Sequence, residues 1–280
     1  MQQTTKFLTQ QLCSIYEKQE ALTIANMVIE HITGLKRIDR IIHKNVSLNT
    51  IQQNQLNTFT KELLSHKPVQ YVLQEAWFAG MNFYVDEHVL IPRPETEELV
   101  ELTIKTVEEK GAKHILDIGC GSGCISIALK KKIQEAFITA VDISTNALNI
   151  AKKNAEALET DINFLQIDFL NESQWKQLPA FDIIVSNPPY IKQSGINEMH
   201  RHVINYEPHL ALFVPDEDAL LFYKKMAIFG KIHLNSNGMI IAEINESLGN
   251  ETKKLFEETG YKTTLIKDLQ GKERIIKALS

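Results

Sequence analysis

The chain has 280 residues, of which 44% are hydrophobic and 23% charged, a composition typical of a water-soluble globular protein with one large domain or two unequal ones. Its net charge of −5 and isoelectric point near 6.0 argue against a general binder of nucleic acids, which more often carries a basic surface. Three cysteines are too few for a disulfide framework, and the sequence has neither an apolar signal core at its start nor an apolar run of about 20 residues, so we expect a cytoplasmic protein that makes no membrane contact.

Residues 1–75 predict a small helical domain. The stretches "TKFLTQQLCSIY" and "EALTIANMVIEHI" place apolar residues at three- and four-residue intervals, which is the spacing of an amphipathic helix. "SLNTIQQNQLNTFTKELLS" repeats the pattern, and no cluster of catalytic residue types interrupts it. Residues 76–92 then become aromatic and β-branched, which predicts a β-hairpin that links this domain to the rest of the chain.

Residues 93–280 predict an α/β domain. Apolar runs such as "KHILDIG", "AFITAVDI" and "FDIIVSN" alternate with helical patterns such as "STNALNIAKKNAEAL", in which Ser144 is the expected N-cap. This alternation predicts a mostly parallel sheet with helices on both faces, and the last two strand patterns, "YKTTLIKDL" and "ERIIKAL", predict antiparallel neighbours. Ligands of such sheets bind beyond the carboxyl ends of the strands, so the residues at those ends are the candidates for a binding site.

The first of these strands ends in a glycine-rich turn, "LDIGCGSGCIS". Glycines at 119, 121 and 123 would let a ligand approach bare backbone, and the start of the next helix offers free N–H groups. The spacing differs from the G-x-G-x-x-G of dinucleotide-binding folds, because Cys124 stands at the position of the third glycine. It also differs from a phosphate-binding P-loop, since no Gly-Lys-Ser/Thr follows. The turn indicates a cofactor site of another kind.

The next two strands end in acidic residues. Asp142 follows Gly123 by 19 residues, and a carboxylate at this position can accept hydrogen bonds from both hydroxyls of a ribose. Asp168 and Phe169 end the third strand, where the acid could bond the amino group of an adenine and the ring could contact its face. The three strand ends together predict a site for a cofactor that contains adenosine.

The fourth strand stops abruptly at Asn187-Pro188-Pro189-Tyr190. The two prolines fix two φ angles, so this corner of the chain is stiff. The side-chain oxygen of Asn187 and the carbonyl oxygen of Pro188 can accept the two N–H groups of a planar amine, while Tyr190 lies against its plane. Both acceptors favour the positive charge that develops when such a nitrogen is methylated, and this reaction needs neither a metal nor a strong base.

The motifs "DIGCGSG", "VDIS" and "SNPPYI" resemble those of class I methyltransferases, which use S-adenosylmethionine and methylate amino nitrogens. The segment 67–101, which contains "LIPRPETE", and the stretch "GKERIIKA" near the end of the chain are similar to the HemK/PrmC family of protein-(glutamine-N5) methyltransferases. The resemblance covers almost the whole chain. It implies a class I methyltransferase fold, α/β and Rossmann-like with a mostly parallel seven-stranded sheet at 93–280, preceded by a substrate-docking helical bundle at 1–75.

This resemblance also implies a reaction and a set of site residues. The methyl group of S-adenosylmethionine would pass to the N5 atom of the glutamine in the Gly-Gly-Gln motif of class 1 peptide chain release factors, with S-adenosylhomocysteine as the product. The implied catalytic residues are Asn187, Pro188, Pro189 and Tyr190. The implied cofactor-binding residues are Gly119, Cys120, Gly121, Ser122, Gly123, Asp142, Asp168, Phe169 and Asn187. The resemblance further places 93–97 beside the cofactor pocket, with capping of the next helix as the alternative role of Thr96.

Other functions remain open at this point. A relative that methylates a glutamine of a ribosomal protein would carry the same catalytic residues. A DNA or RNA N6-adenine methyltransferase would share the tetrad but would need a positive surface for the strand, and this chain is acidic. The missing G-x-x-G spacing argues against a nicotinamide-dependent dehydrogenase, and a passive nucleotide-binding module would have no use for the stiff tetrad. In the loop 192–218, which is expected to form a wall or lid, His202 and His209 are expected to be structural or exposed to solvent.

Overall fold

The computed structural model describes residues 1–42 and 46–280, apart from the side chain of Glu198. These residues form two compact units, of which one comprises Met1–Glu75 and His200–Tyr206 and the other comprises Ala76–Met199 and Glu207–Ser280. Residues 43–45 of the predicted helical domain lie outside the described residues. None of the described helices combines the length and the apolar character that a bilayer crossing demands.

The smaller unit is a bundle of helices. They are α1 (Gln2–Leu12), α2 (Lys18–Thr33), α3 (Arg37–Ile42), α4 (Thr50–Leu64) and α5 (Val69–Leu73). A capping box starts α4, in which the side chains of Asn49 and Gln52 each accept the other residue's backbone N–H. Gly34 ends α2 in the left-handed conformation, at a φ of 68°. The apolar faces meet in one core that includes Leu8, Leu12, Ile29 and Leu63, and the predicted helical bundle is confirmed.

The larger unit contains all the strands found among the described residues. They are β1 (Ala76–Phe78), β2 (Met81–Phe83), β3 (His114–Ile118), β4 (Phe137–Asp142), β5 (Asn163–Gln166), β6 (Phe181–Ser186), β7 (Ile191–Lys192), β8 (Phe213–Val214), β9 (Leu234–Glu243), β10 (Lys262–Lys267) and β11 (Glu273–Leu279). Seven of them form the main sheet in the order β10-β11-β9-β6-β3-β4-β5. β3, β4, β5, β6 and β9 are parallel, whereas β11 pairs antiparallel with both β9 and β10. The prediction of a mostly parallel sheet with an antiparallel final pair is confirmed.

Helices cover both faces of the main sheet, because successive strand residues point to opposite sides. In the larger unit these helices are α6 (Pro94–Lys110), α7 (Cys124–Lys132), α8 (Thr145–Ala157), α10 (Leu221–His233) and α11 (Gly249–Glu258), while α9 (Arg201–Tyr206) belongs to the smaller unit. Ile115 and Ile183 pack into the core that α6 and α7 cover. Their neighbours Leu116 and Ile184 pack into the core that α10 and α11 cover. Ser144 caps α8 as predicted, since its hydroxyl oxygen accepts the backbone N–H of the third helical residue.

Two segments group differently from the division predicted from the sequence. The hairpin of β1 and β2 belongs to the larger unit, because Phe78 and Phe83 are buried in its core beside Leu99. Residues 200–206 group with the smaller unit, where the Tyr206 hydroxyl donates a hydrogen bond to a backbone carbonyl oxygen at the end of α4. The segment 192–218 was expected to be a loop, but it contains the helix α9 and the short strand β8.

Candidate active site

The carboxyl ends of five parallel strands meet at one edge of the main sheet, because the strands are in register there. Ile118 pairs with Val141 and with Ser186, and Ser186 pairs in turn with Ala242. The Ser186 hydroxyl also donates a hydrogen bond of 2.7 Å to the Ile118 carbonyl oxygen, which ties the ends of β6 and β3 together. The residues that follow these positions are Gly119, Asp142, Asn187 and, one place further along β9, Glu243.

A cleft of about 980 Å³, part of which is open to solvent, lies over this edge. Open α/β sheets bind ligands in a crevice at this edge, so the cleft is the candidate site for a cofactor. The residues singled out from the sequence that line it are Gly119, Gly121, Asp142, Asp168, Phe169, Asn187 and Pro189. The residues of the lining that the sequence reasoning missed include His88, Val89, Leu90, Leu170, Pro208, Leu210, Ala211 and Phe222.

The glycine-rich turn presents only some of its residues to the cleft. Gly119 and Gly121 line it with left-handed φ angles of 72° and 54°, and a Cβ atom at either would meet no other atom within 4 Å. The side chains of Cys120 and Ser122 are buried at 4% and 2% exposure, and Gly123 packs against α8. The structure therefore brings two of the five turn residues to the cleft, and Cys120, Ser122 and Gly123 are not among the residues that line it.

Asp142 holds the turn and the next helix in place. Its Oδ2 accepts the backbone N–H of Gly121 and its Oδ1 accepts that of Ser144, both at 2.9 Å. Burial raises the pKa of Asp142, and the backbone hydrogen bonds offset part of this effect. A carboxylate oxygen has more than one lone pair, so each can still accept a ligand hydroxyl while it keeps its backbone donor.

Asp117, in the strand that leads into the turn, carries a poorly compensated carboxyl group. It is fully buried, the Ser126 hydroxyl donates to its Oδ2 at 2.5 Å, and its Oδ1 has no hydrogen-bond partner among the described residues. Burial raises its pKa to about 7, although the Ser126 bond acts in the opposite direction. The protein thus leaves one buried carboxyl oxygen without a hydrogen-bond partner among the described residues, two positions before the glycine-rich turn.

Asp168 and Phe169 lie at the end of the cleft formed after β5. Oδ1 of Asp168 accepts the backbone N–H of Leu170 at 3.0 Å. Phe169 is only 5% exposed, and its ring packs against the rings of Trp175 and Phe229 at centroid distances of 5.6 and 5.3 Å. The core therefore holds this ring as a fixed wall of the cleft.

The tetrad is linked to a buried carboxylate. Asn187 Nδ2 donates a hydrogen bond of 3.1 Å to Thr96 Oγ1, and this hydroxyl donates one of 2.8 Å to Glu243 Oε2. The Tyr190 hydroxyl donates to the other oxygen, Oε1, at 3.1 Å. Thr96 is the third residue of α6 and does not cap it: Arg93 is the N-cap residue, and the Thr96 hydroxyl is committed to Glu243. Burial raises the pKa of Glu243, while the bonds from the two hydroxyls lower it.

The segment after α9 forms a wall of the cleft. The side chain of Glu207 is completely buried, and its carboxylate accepts a 2.6 Å hydrogen bond from the Arg93 guanidinium. This ion pair ties residue 207 to the start of α6, and Leu210, which lines the cleft, is 73% exposed. His209 is exposed, and the ring of His202 stacks on a neighbouring histidine ring.

Comparison with known proteins identifies the family. Residues 2–73 match the PrmC N-terminal domain, and residues 97–209 match the methyltransferase small domain. The release factor glutamine methyltransferase of Flavobacterium psychrophilum is 45% identical over 98% of this chain and 96% of its own length. That of Bacteroides thetaiotaomicron is 39% identical over 99% of both chains. The solved structure of the T. thermophilus 16S rRNA N2 G1207 methyltransferase (RsmC), in complex with AdoMet and guanosine, is 20% identical with a TM-score of 0.50, over 74% of this chain and 49% of that chain.

The structural likeness bears on the fold, and the sequence likeness bears on the family. The larger unit has the class I fold of methyltransferases that depend on S-adenosylmethionine, as predicted. Both sequence relatives match this chain over nearly its full length. On this similarity, the chain belongs to the release factor glutamine methyltransferase family.

Proposed function

We propose that this protein transfers the methyl group of S-adenosylmethionine to N5 of the glutamine in the Gly-Gly-Gln motif of class 1 peptide chain release factors, in the cytoplasm, and releases S-adenosylhomocysteine. The observation that carries the proposal is the orientation of Asn187 in the cleft. Its Nδ2 is held by Thr96, so its Oδ1 remains to accept an N–H of a planar amide. The names of the two relatives support the same substrate.

The residues of the cleft fit this cofactor by their chemistry. We assign the bare backbone at Gly119 and Gly121 to its methionine part, which carries positive charge that the unsatisfied Asp117 carboxyl group favours. Asp142 would accept the ribose hydroxyls, and the third strand end, with Asp168 and its neighbouring phenylalanine, would receive the adenine. When bound, the cofactor supplies a methyl group on a sulfonium, which makes that methyl group electrophilic.

The tetrad would activate the substrate amide through its acceptors. An amide nitrogen is a poor nucleophile, because its lone pair is delocalised into the carbonyl group. Asn187 Oδ1 and the Pro188 carbonyl oxygen would each accept one N–H, and both bonds strengthen as positive charge develops on the nitrogen. The fixed φ angles of Pro188 and Pro189 keep the acceptors in place, which matters because a small misplacement is costly. The extra proton can leave after the transfer, so the step requires no strong base.

Tyr190 would contribute a flat surface for the amide. Its hydroxyl is bound to Glu243, which fixes the direction of the ring. Burial and the nearby Glu243 charge raise the pKa of Tyr190 far above its usual value, so the phenol stays neutral. A neutral ring beside the amide offers the electron-rich face that a developing cation prefers.

Two glycine substitutions test which side of the glycine-rich turn faces the cofactor and which side packs against the helices. A Gly121→Ala change places a methyl group in open space in the cleft, so we expect about a 10-fold or greater loss of S-adenosylmethionine affinity from overpacking against the ligand. The left-handed φ of 54° adds a stability loss of about 1–2 kcal/mol. Calorimetric titration and thermal unfolding measure the two effects.

Gly123→Ala is the matched control for this prediction. Its φ is 79°, and a Cβ there would lie 3.2 Å from Ala151 Cβ and 3.3 Å from Ile127 Cδ1. We expect a larger fall in melting temperature than for Gly121→Ala and a smaller loss of affinity in the protein that remains folded. Equal losses of affinity in the two variants would contradict the assignment of Gly121 to the cofactor surface.

The substrate class is tested by a labelling experiment. The protein is incubated with tritiated S-adenosylmethionine and, in separate reactions, a purified class 1 release factor, a set of ribosomal proteins and DNA. We expect label in the release factor alone, in keeping with the acidic net charge of −5, which does not favour a nucleic acid strand. Label in a ribosomal protein or in DNA would overturn the proposed substrate.

A further inference from the structure

The Glu243 carboxylate links the two ends of the tetrad, Asn187 through Thr96 and Tyr190 directly. One of its oxygens accepts the Thr96 hydroxyl, and the other accepts the Tyr190 hydroxyl. The backbone carbonyl oxygen of Glu243 also accepts the Tyr223 hydroxyl at 2.9 Å, which fixes the end of β9. Two hydroxyl donors on two carboxylate oxygens form the pattern of an ionised group that acts as an acceptor on both sides.

An ionised Glu243 determines the direction of every hydrogen bond up to Asn187. An ionised carboxylate cannot donate, so the Thr96 proton must point to Glu243. The Thr96 oxygen can then only accept from Asn187, which forces the NH₂ end of the Asn187 amide inward. The oxygen end is the one left for the substrate. Without this constraint, the amide could rotate and present its NH₂ end to the substrate, and no side-chain acceptor of Asn187 would then stabilise the positive charge that develops on the substrate nitrogen.

The network is buried, which is unfavourable for a carboxylate. Thr96 is 3% exposed and Glu243 is 2% exposed. Burying a carboxylate is unfavourable, and the positive charge of Arg274 together with the two hydroxyl bonds offsets only part of the effect of burial on the pKa of Glu243. Buried carboxylates of this kind are concentrated at functional sites.

We propose that Glu243, acting through Thr96, is a positioning residue that sets the amide of Asn187 with its oxygen toward the substrate, and that the same carboxylate orients the ring of Tyr190. This inference rests on the proposed function, because it assumes that the substrate presents an NH₂ group to Asn187. Neither Glu243 nor Thr96 needs to touch the substrate for this role. Their effect is therefore on the rate of the bound complex more than on binding.

The test is removal of the Thr96 hydroxyl at nearly constant volume. Thr96→Val leaves Asn187 without its acceptor. We expect kcat for release-factor methylation to fall roughly 10- to 100-fold, which is less than the roughly 100- to 1,000-fold loss when a group that contacts the transition state itself is removed. The KM for the release factor and the Kd for S-adenosylmethionine should change less than about threefold. Thr96→Ser keeps the hydroxyl and should recover most of the lost kcat.

Thr103→Val is the matched control for this variant. Thr103 lies on the same helix, is fully buried, and donates its hydroxyl only to the Leu99 carbonyl oxygen at 2.7 Å. The same chemical change there should leave kcat unaffected. If Thr96→Val does not fold, Glu243→Gln tests the inference instead. Glutamine keeps the volume of glutamate but has one acceptor oxygen instead of two, so kcat should again fall while KM stays unchanged.

Three results would overturn the inference. The first is a wild-type kcat in Thr96→Val, or in Glu243→Gln if Thr96→Val does not fold. The second is a fall in cofactor affinity as large as the fall in kcat, since Thr96 would then act on the cofactor. The third is a loss of kcat in Thr103→Val equal to that in Thr96→Val. Failure of the proposed function has a different signature: wild-type protein would not label the release factor at all.

Discussion

Replacement of Asn187 by alanine is expected to reduce kcat for release-factor methylation roughly 100- to 1,000-fold, which is the range measured when one preorganised group that stabilises transition-state charge is removed. The reason is that Asn187 lines the cleft with its Nδ2 bound to Thr96, so its Oδ1 is the atom of this side chain that can accept an N–H of the substrate amide. We expect the melting temperature to fall only slightly. The measurement is single-turnover methylation at saturating cofactor, with thermal unfolding of the same preparation.

Asn163→Ala is the matched control for this prediction. Asn163 also donates its side-chain N–H to a threonine hydroxyl, Thr139 Oγ1, at 3.5 Å. It is the first residue of β5, however, and so lies at the amino ends of the strands, away from the cleft. Its replacement should leave kcat unchanged. Turnover by Asn187→Ala at more than about a tenth of the wild-type rate would refute the role assigned to Asn187.

Replacement of Asp142 by alanine is expected to weaken S-adenosylmethionine binding about 100-fold or more. Two hydrogen bonds from ribose hydroxyls to a charged acceptor would be lost, at about 1.5–3 kcal/mol each. The same change removes the acceptor for the backbone N–H groups of Gly121 and Ser144, so the cofactor turn also loses its anchor. Isothermal titration of the cofactor measures the effect directly.

Asp182→Ala controls for the loss of the backbone contacts. Asp182 accepts the backbone N–H groups of Lys113 and His114 at 2.8 and 2.9 Å, but at the amino ends of the strands, away from the cleft edge. Asp182→Ala should lower the free energy of unfolding and leave the cofactor affinity of the folded protein unchanged. Unaltered affinity in Asp142→Ala would reject the ribose assignment, and equal losses in the two variants would attribute the effect to the fold.

Much of the fold could be predicted, because the periodicity of apolar residues reflects which side of an element is buried. Ile115 and Leu116 are both apolar since they face two different covered sides of the sheet, and this is the signature of a central parallel strand. The grouping of 200–206 with the smaller unit could not be predicted. It depends on a tertiary contact between Tyr206 and the end of α4, for which the local pattern carries no signal.

The site was predictable where it follows the strand-end rule. Gly119, Asp142 and Asn187 all come directly at or after the carboxyl end of a parallel strand, and register brings them together. Glu243 obeys the same rule at the end of "GMIIAE" and could have been found, since a single acid ends an otherwise apolar strand. Its partner Thr96 could not have been, because the two residues are 147 positions apart and the hydrogen bond depends on how α6 packs.

The turn residues illustrate a second limit of sequence reasoning. A motif places five consecutive residues in one functional group, but a left-handed turn alternates which of them faces the ligand. Gly119 and Gly121 line the cleft, whereas Cys120 and Ser122 are buried. Burial raises the pKa of the Cys120 thiol, which makes this cysteine an unreactive packing residue.

Fragment-ion mass spectrometry of the methylated substrate shows whether the methyl group is transferred to a side-chain amide nitrogen of a release factor. The protein is incubated with S-adenosylmethionine and either the natural release factor or one in which the glutamine of the Gly-Gly-Gln motif is glutamate. We expect one added methyl group on the glutamine of the natural substrate and none anywhere in the glutamate form. A methyl group at any other residue, or equal modification of the two forms, would contradict the proposed transfer.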